Sequence, residues 1–313
     1  MDRLTQLSLL VHIADCGSLR GAAAALQISH AAANRNLQAL ESRLQTRLLD
    51  RTGRRISLTG MGLEFSERAR AILSDIDLAE EATHALSVQP RGRLRVSATH
   101  SFSTRHIAPL LREYAKQCPE VVVHIEVDNG YTDLIDKNID VAIRTRDIEP
   151  NSSITMRRLA ETDRVLAATP RYLARHGTPG SVADLLQHRI LTYTHSSSPG
   201  ELHFTRAGQV ETVAPKNLLK ASDSQILRTA ALGHMGIVVQ PTYVLYDELA
   251  AGRLVPVLQE WSLSPLAINL AFPSRKYRSG KVRGFVDCIT AHFERMQYER
   301  RWNRFSADPS HGV

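Results

Sequence analysis

The hydrophobic pattern changes its period once along this chain. Up to residue 86 the apolar side chains recur at helical spacing, and beyond Gln89-Pro90-Arg91-Gly92 they gather into short strand-like runs. A helical stripe and a series of strand-length runs call for different packing layers, so the chain reads as a helical head, a hinge and an α/β body. Its 313 residues fit about two domains at roughly 150 residues each. With 43% hydrophobic and 23% charged residues it can bury a core and is too apolar for bulk disorder.

In the head, Leu4, Leu7, Val11 and Ala14 predict a helix that Gly17 stops. Ser18 suits the N-cap of a second helix, through the alanine run to Leu26. Gln27-Ile28-Ser29 is a tight turn, and Ser29 caps a third helix in which Ala33, Leu37, Leu40 and Leu44 repeat at steps of 4, 3 and 4. Two short helices joined by such a turn form a helix-turn-helix. Leu48-Leu49 and Ile56 to Leu58 flank Thr52-Gly53 and predict a small β-hairpin, or wing. Thr59 then caps a helix of about 27 residues, on the order of 40 Å. Phe65, Ala69, Ile72, Ile76, Ala79, Thr83 and Leu86 alternate steps of 4 and 3 along it. That is a coiled-coil seam, and a second copy of the chain is its natural partner.

After the hinge, strands are expected at Leu94 to Ala98, Val121 to Val127, Ile139 to Ile143, Val165 to Ala168, Gly236 to Val239 and Leu266 to Phe272. Helical stretches at 103–117, 223–232 and 279–297 alternate with them, which implies parallel or mixed sheets covered by helices. The tail after Trp302 is polar.

At 100° per residue the third helix turns Ala31, Arg35, Gln38 and Ser42 away from its apolar side, with Asn34 at the flank. Ser29, His30, Ala31 and Ala32 form its open N-terminal end. Small residues let a helix backbone approach a major groove, and Asn, Gln and Arg carry donors for base edges or phosphates. Arg51, Arg54 and Arg55 surround the wing turn, where guanidiniums suit a phosphate backbone or minor groove. Either feature alone also fits a solvated polar surface. Residues 1–60 hold eight arginines against four acids, residues 61–90 hold two against six, and the whole chain carries +7. That mild excess suits a polyanionic partner.

Nothing near the N-terminus reads as a signal peptide, and no apolar run is long enough to span a membrane. Cys16, Cys118 and Cys288 are three and widely spaced, which predicts buried free thiols in a reducing, cytoplasmic setting. Phosphate-loop, nucleophile-elbow and zinc spacings are absent, so neither a metal nor a catalytic site is expected.

The segment GSLRGAAAALQISHAAANRNLQALESRLQTRLLDRTGRRISLTGMG resembles the winged helix-turn-helix of the LysR-type transcriptional regulators. The matching elements are Gly17-Ser18, Ala22 to Leu26, Leu40-Glu41, Leu44, Leu48, Arg51, Leu58-Thr59 and Gly62. Asn34 stands where the family usually has Ser or Thr, Gln45 where it has Gly, and Leu49 where it has Phe. GRLRVSATHSF, IDVAIRT, RYLARHGTP, GHMGIVVQP and AAGRLVPVLQEW resemble the family's effector-binding domain, so the likeness runs to about residue 300. It implies a winged helix-turn-helix over 1–59, a linker and dimerisation helix over 60–90, and a two-lobed domain like periplasmic binding proteins over 91–302. Lobe one would be 91–162 with 266–302, lobe two 163–265, and 303–313 a polar tail. The implied function is sequence-specific control of transcription on double-stranded promoter DNA by a homodimer or homotetramer. A small-molecule co-inducer between the lobes would be its only cofactor-like ligand, and RNA polymerase stays open as a further partner.

Clefts in such sheets lie at strand ends facing helix N-termini. That singles out Thr99, His100, Ser101, Phe102, Ser103 and Thr104 after the strand ending at Ala98. Their hydroxyls and amides suit a carboxylate, and the alternative for Ser101 or Ser103 is a plain cap of the next helix. Arg144 suits an anionic ligand or a neighbouring aspartate, and Ser222 and Asp223 line the cleft or cap the next helix. Thr194 enters from the second lobe. The rival reading is a cytoplasmic small-molecule-binding or enzymatic α/β protein whose N-terminal helices only oligomerise it.

Overall fold

The computed structural model describes residues 2–52, 55–83, 89–130, 133–145, 153–194 and 200–305. The chain divides into two compact units, residues 1–88 with 133–138, and residues 89–132 with 139–313.

The first unit opens with α1 (Arg3–Cys16), capped by the Asp2 side chain on the Leu4 amide and closed by Gly17 at φ 64°. Its buried face is wider than the expected stripe. Leu7, Leu9, Leu10, Val11 and Ile13 are buried, whereas Leu4 is exposed and Ala14 half-buried. Ser18 Oγ accepts the Gly21 amide at the start of α2 (Leu19–Ala25), and the turn into α3 (His30–Leu44) passes Gln27 at φ 53°. Leu9, Ile13, Leu19, Ala22, Ala23, Ala33, Leu37 and Leu49 pack into one core. β1 (Leu49–Thr52) and β2 (Arg55–Leu58) pair antiparallel as the wing.

The long helix α4 (Gly60–Thr83) follows, 24 residues in its described length. Here the seam expectation needs correction. Ala69 is buried against Leu7 and Val11 of α1, with Phe65 and Leu73 beside it, so the first turns of the seam are satisfied within the chain. Ile72 stays 48% exposed, Ile76 half-buried and Ala79 exposed. Leu86 lies outside the described residues.

In the second unit β3 (Arg91–Ala98), β4 (Glu120–Val127), β5 (Val141–Arg144), β6 (Ile154–Thr162) and the late strand β15 (Leu266–Pro273) form a mixed sheet of order β4-β3-β5-β15-β6. β3 runs parallel to β4 and β5, and β15 antiparallel to β5 and β6. The helical stretch after β3 starts earlier than expected, as α5 (His100–Phe102), and continues through a π-turn (Ser103–Ile107) into α6 (Ala108–Gln117).

A second five-stranded sheet, of order β11-β8-β12-β7-β13, holds β7 (Arg164–Ala168), β8 (Ile190–Tyr193), β11 (Asn217–Ala221), β12 (Ile237–Pro241) and β13 (Val255–Val257). A small sheet of β9 (Leu202–Arg206), β10 (Gln209–Val213) and β14 (Ser262–Leu263) adjoins its chain. α7 (Pro170–His176), α8 (Ser224–Leu232), α9 (Thr242–Ala250), α10 (Gly280–Met296) and α11 (Tyr298–Trp302) complete the unit. These are two α/β lobes, with lobe one completed by β15 and α10.

The chain crosses between lobes at Asp163, which is fastened on both sides. Its carbonyl accepts the Thr242 amide (2.8 Å) and hydroxyl (2.9 Å), and its amide donates to Asn303 Oδ1 at 3.1 Å. Packed structure therefore extends past Trp302 to Phe305. Buried Asp140 and Lys276 pair at 2.7 Å in lobe one, while in lobe two buried Glu248 holds Arg228 and Arg253 together. All three cysteines are free. Cys118 and Cys288 are buried, but Cys16, against expectation, is exposed because it ends α1 beside the Gly17 turn.

Candidate nucleic-acid interface and ligand cleft

Ser29 begins α3 in extended backbone, and its Oγ accepts the Ala32 amide at 3.1 Å. The helix then sorts its residues by period. Ala33, Leu37 and Leu40 are buried, whereas Ser29, His30, Ala31, Arg35 and Gln38 are exposed. Ala32 and Asn34 are half-buried at the flank. Spending three apolar side chains on the core leaves one polar strip with small residues at its N-terminal end, the shape a recognition helix needs.

The wing is tied to this helix by a contact the sequence reading missed. Glu41 Oε1 accepts the amides of Leu48 (2.8 Å) and Leu49 (3.2 Å), so a half-buried carboxylate sets where β1 starts. Thr59 closes the other end. Its Oγ1 donates to the Arg47 carbonyl and accepts the Gly62 amide, each at 2.9 Å, and its amide reaches the Leu48 carbonyl at 2.9 Å. α4 comes so close here that a Cβ on Gly62 would lie 2.0 Å from the Leu48 oxygen. In the wing Arg51 pairs with Ile56 and Thr52 with Arg55, and Arg54 lies outside the described residues.

The cleft residues gather where β3 and β4 end side by side, Ala98 opposite Val127. Thr99 Oγ1 accepts the Phe102 amide at 3.3 Å and so caps α5. Ser101 Oγ accepts from Gln225 Nε2 at 2.8 Å, across the lobes. Thr104 is exposed, and its hydroxyl is occupied by the His100 carbonyl at 3.0 Å. Phe102 and Ser103 turn inward: Phe102 is 1% exposed, its ring stacked on Phe293 at 5.8 Å.

Asp223 is the N-cap of α8. Its Oδ1 accepts the Gln225 and Ile226 amides at 2.7 and 3.4 Å, while Oδ2 lies 3.2 Å from Asn129 Nδ2 and 3.3 Å from His100 Nδ1. Burial works to raise its pKa, but these hydrogen bonds and His100 hold it below the ordinary carboxylate value. Tyr193 adds a bond from its hydroxyl to the Asn129 carbonyl at 3.0 Å. Asn129 and Gln225 are therefore part of the cleft wall, and the sequence reading did not include them. The turn Asp128-Asn129-Gly130 after β4 could have disclosed the first, since parallel neighbours end at one edge.

Of the other candidates, Arg144 is buried, donates to the Gly130 carbonyl at 3.0 Å and lies 3.7 Å from Asp128. It takes the neighbouring-aspartate option. Thr194 continues the β8 edge, its amide on the Ala221 carbonyl at 3.0 Å, and Ser222 is exposed next to Asp223. Among the described residues no cluster of His, Cys, Asp and Glu is arranged to hold a metal, and no helix is long and apolar enough to cross a membrane.

A family model for bacterial regulatory helix-turn-helix proteins of the lysR family matches residues 4–63, and one for the LysR substrate binding domain matches residues 87–294. The chain belongs to the LysR family of transcriptional regulators. It is a DNA-binding transcriptional regulator with an effector-binding α/β domain.

Relatives of similar length support the same assignment. The chain is 32% identical over 305 residues to the HTH-type transcriptional regulator PtxR of Pseudomonas aeruginosa, covering 94% of this chain and 96% of that one. It is 30% identical over 289 residues to CrgA of Neisseria meningitidis, covering 91% and 95%. The solved structure of that LysR-type regulator superposes with a TM-score of 0.61 at 29% identity, over 92% of this chain and 97% of the other. The full-length Vibrio cholerae virulence activator AphB gives 0.61 at 27%, over 93% and 99%.

Proposed function

We propose that this LysR-family regulator reads duplex DNA through the exposed strip of α3, with the wing arginines on the phosphate backbone. The observation that carries the reading is the division of α3 into a buried Ala33-Leu37-Leu40 side and an exposed Ser29–Ala31, Arg35 and Gln38 side. Arg35 and Gln38 reach base edges, Asn34 supports them from the flank, and Ser29 to Ala32 bring the helix end to a phosphate. Arg51, Arg54 and Arg55 add sequence-independent affinity.

Two copies pair through the remainder of the α4 seam, Ile72, Ile76 and Ala79, and two such pairs make the tetramer. The working units are 1–59, 60–90 and 91–302, with the effector seated between the lobes against Thr99, His100, Ser101, Asn129, Thr194, Ser222 and Asp223. Ligand binding regulates because it favours one arrangement of the lobes over the other. Promoter DNA as target places the protein in the cytoplasm.

Quantitative gel shifts on the protein's own upstream region test the DNA reading. Arg35→Ala should cost about 1–3 kcal/mol on the cognate fragment and leave unrelated duplexes unchanged. An equal loss on every duplex would move Arg35 to a phosphate contact. Ile72→Glu should weaken the dimer in sedimentation velocity, and an unchanged profile would remove α4 as the pairing element.

A further inference from the structure

Asp223 does what a ligand carboxylate held between two lobes would do. It takes two hydrogen bonds from its own lobe, the Gln225 and Ile226 amides, and two contacts from the other lobe, Asn129 Nδ2 and His100 Nδ1. The bond from Gln225 to Ser101 and the one from Tyr193 to Asn129 flank it and close the same seam. Two donors at this edge of lobe one, Asn129 Nδ2 and His100 Nδ1, thus already face a carboxylate belonging to lobe two. We propose that Asp223 is a built-in stand-in for an anionic effector, bridging the lobes through its own carboxylate, and that a carboxylate-bearing small molecule acts by displacing it from His100 and Asn129. The proposal rests on the cleft reading above and adds the ligand class and the sense of its action.

Charge sets that sense. An incoming carboxylate gains the Asn129 and His100 donors, while Asp223 keeps the amides of its own helix. Two carboxylates then share one small site, and their repulsion favours parting of the lobe edges. A neutral analogue of the same shape lacks that repulsion and leaves the bridge in place.

Chemical rescue separates the stand-in from an ordinary helix cap. Asp223→Ser keeps an N-cap oxygen for α8 but withdraws the carboxylate from the lobe-one donors. Full-length Asp223→Ser should melt below the wild type and be restabilised by sodium acetate, saturably, by about 3–5 °C at ten times the acetate Kd. Wild type, whose site is filled by its own carboxylate, should not respond to acetate beyond sodium chloride at equal ionic strength. Adding His100→Ala and Asn129→Ala to Asp223→Ser should abolish the rescue. Asp223→Ala serves as the second vacant variant, with the same expected response. An acetate effect equal to that of chloride, or equal in wild type and variant, overturns the stand-in role. The two readings fail differently. An effector whose affinity ignores His100→Ala and Asn129→Ala removes the cleft reading, whereas loss of rescue alone removes only the role of Asp223.

Discussion

The clasp that shapes the wing and the bridges that join the two lobes use the same chemistry at different reach. Around the wing, side chains tie down backbone within a dozen residues: Glu41 holds residues 48 and 49, and Thr59 holds 47 and 62. Between the lobes the partners are Asn129 with Asp223, Ser101 with Gln225 and Asp163 with Asn303, each pair about a hundred residues apart or more. Local ties form early and cost little loop entropy, whereas long-range ones become favourable only once both lobes are built. The head is therefore expected to fail locally, and the body to lose stability as a whole.

The largest test of that contrast is Gly62→Ala. The added methyl meets the Leu48 carbonyl, which is backbone and already accepts the Thr59 amide, so the clash is relieved only by moving α4 off the wing. A loss of about 3 kcal/mol in the head is expected. DNA binding should vanish while the α/β part keeps its effector response and melting transition. Loss of both functions together would break the distinction between local and global failure.

Burial of polar groups supplies the next test, because the body accepts it far more than the head. His106 is 4% exposed, with Tyr298, Phe102, Trp302, Phe293 and Tyr243 ring centres 4.8–5.9 Å away. Burial first, then Arg105 and His292, push its pKa down to about 3. Its imidazole is neutral in the fold, while the unfolded chain takes up a proton near pH 6.5. Stability from this residue is thus complete above about pH 6.5 and is lost as pH falls toward 3, at about 1.4 kcal/mol per unit. His188 and His292, also shifted down by burial, act with the same sign. The stability of the α/β part in urea unfolding, measured at about pH 6 and about pH 4, should depend less on pH for His106→Phe than for wild type. An unchanged slope would mean that His106 is protonated in the fold.

The same difference in reach decides what could be read before the fold was known. The helix caps at Ser18, Ser29 and Thr59, the Gly17 stop and the wing all depend on neighbours in sequence, and they stand where expected. Phe65 and Ala69 fit a seam in the sequence, but only the fold reveals α1 as their partner. In the body β6 escaped notice because Arg157, Arg158 and Glu161 interrupt its apolar alternation, and β15 shifts register against it at Ile268 and Asn269. The β9–β10 hairpin turns through Ala207 and Gly208, both at positive φ, where Ala hides the usual turn signal. Thr99, Ser101 and Asp223 were legible as strand-end residues. That Ser101 bonds to Gln225, and Asp223 to Asn129, depends on two lobes meeting and has no local signature.

The smallest effect belongs to the C-cap of α3, where local rules make a prediction that this sequence declines to follow. Gln45 lies at φ 50° and ψ 33°, with its amide on the Glu41 and Ser42 carbonyls. An L side chain in this left-handed region pays a steric cost that glycine avoids, and helices favour glycine there for that reason. Gln45→Gly should therefore stabilise the head by about 1 kcal/mol, net of the extra freedom glycine gains when unfolded. The gain should appear in the transition that Gly62→Ala destroys, and the body should not register it. The acid limb governed by His106 should likewise stay fixed. If Gln45→Gly shifted that limb, the cap would have to act through the α/β body, and the short-range character assigned to the clasp would be wrong.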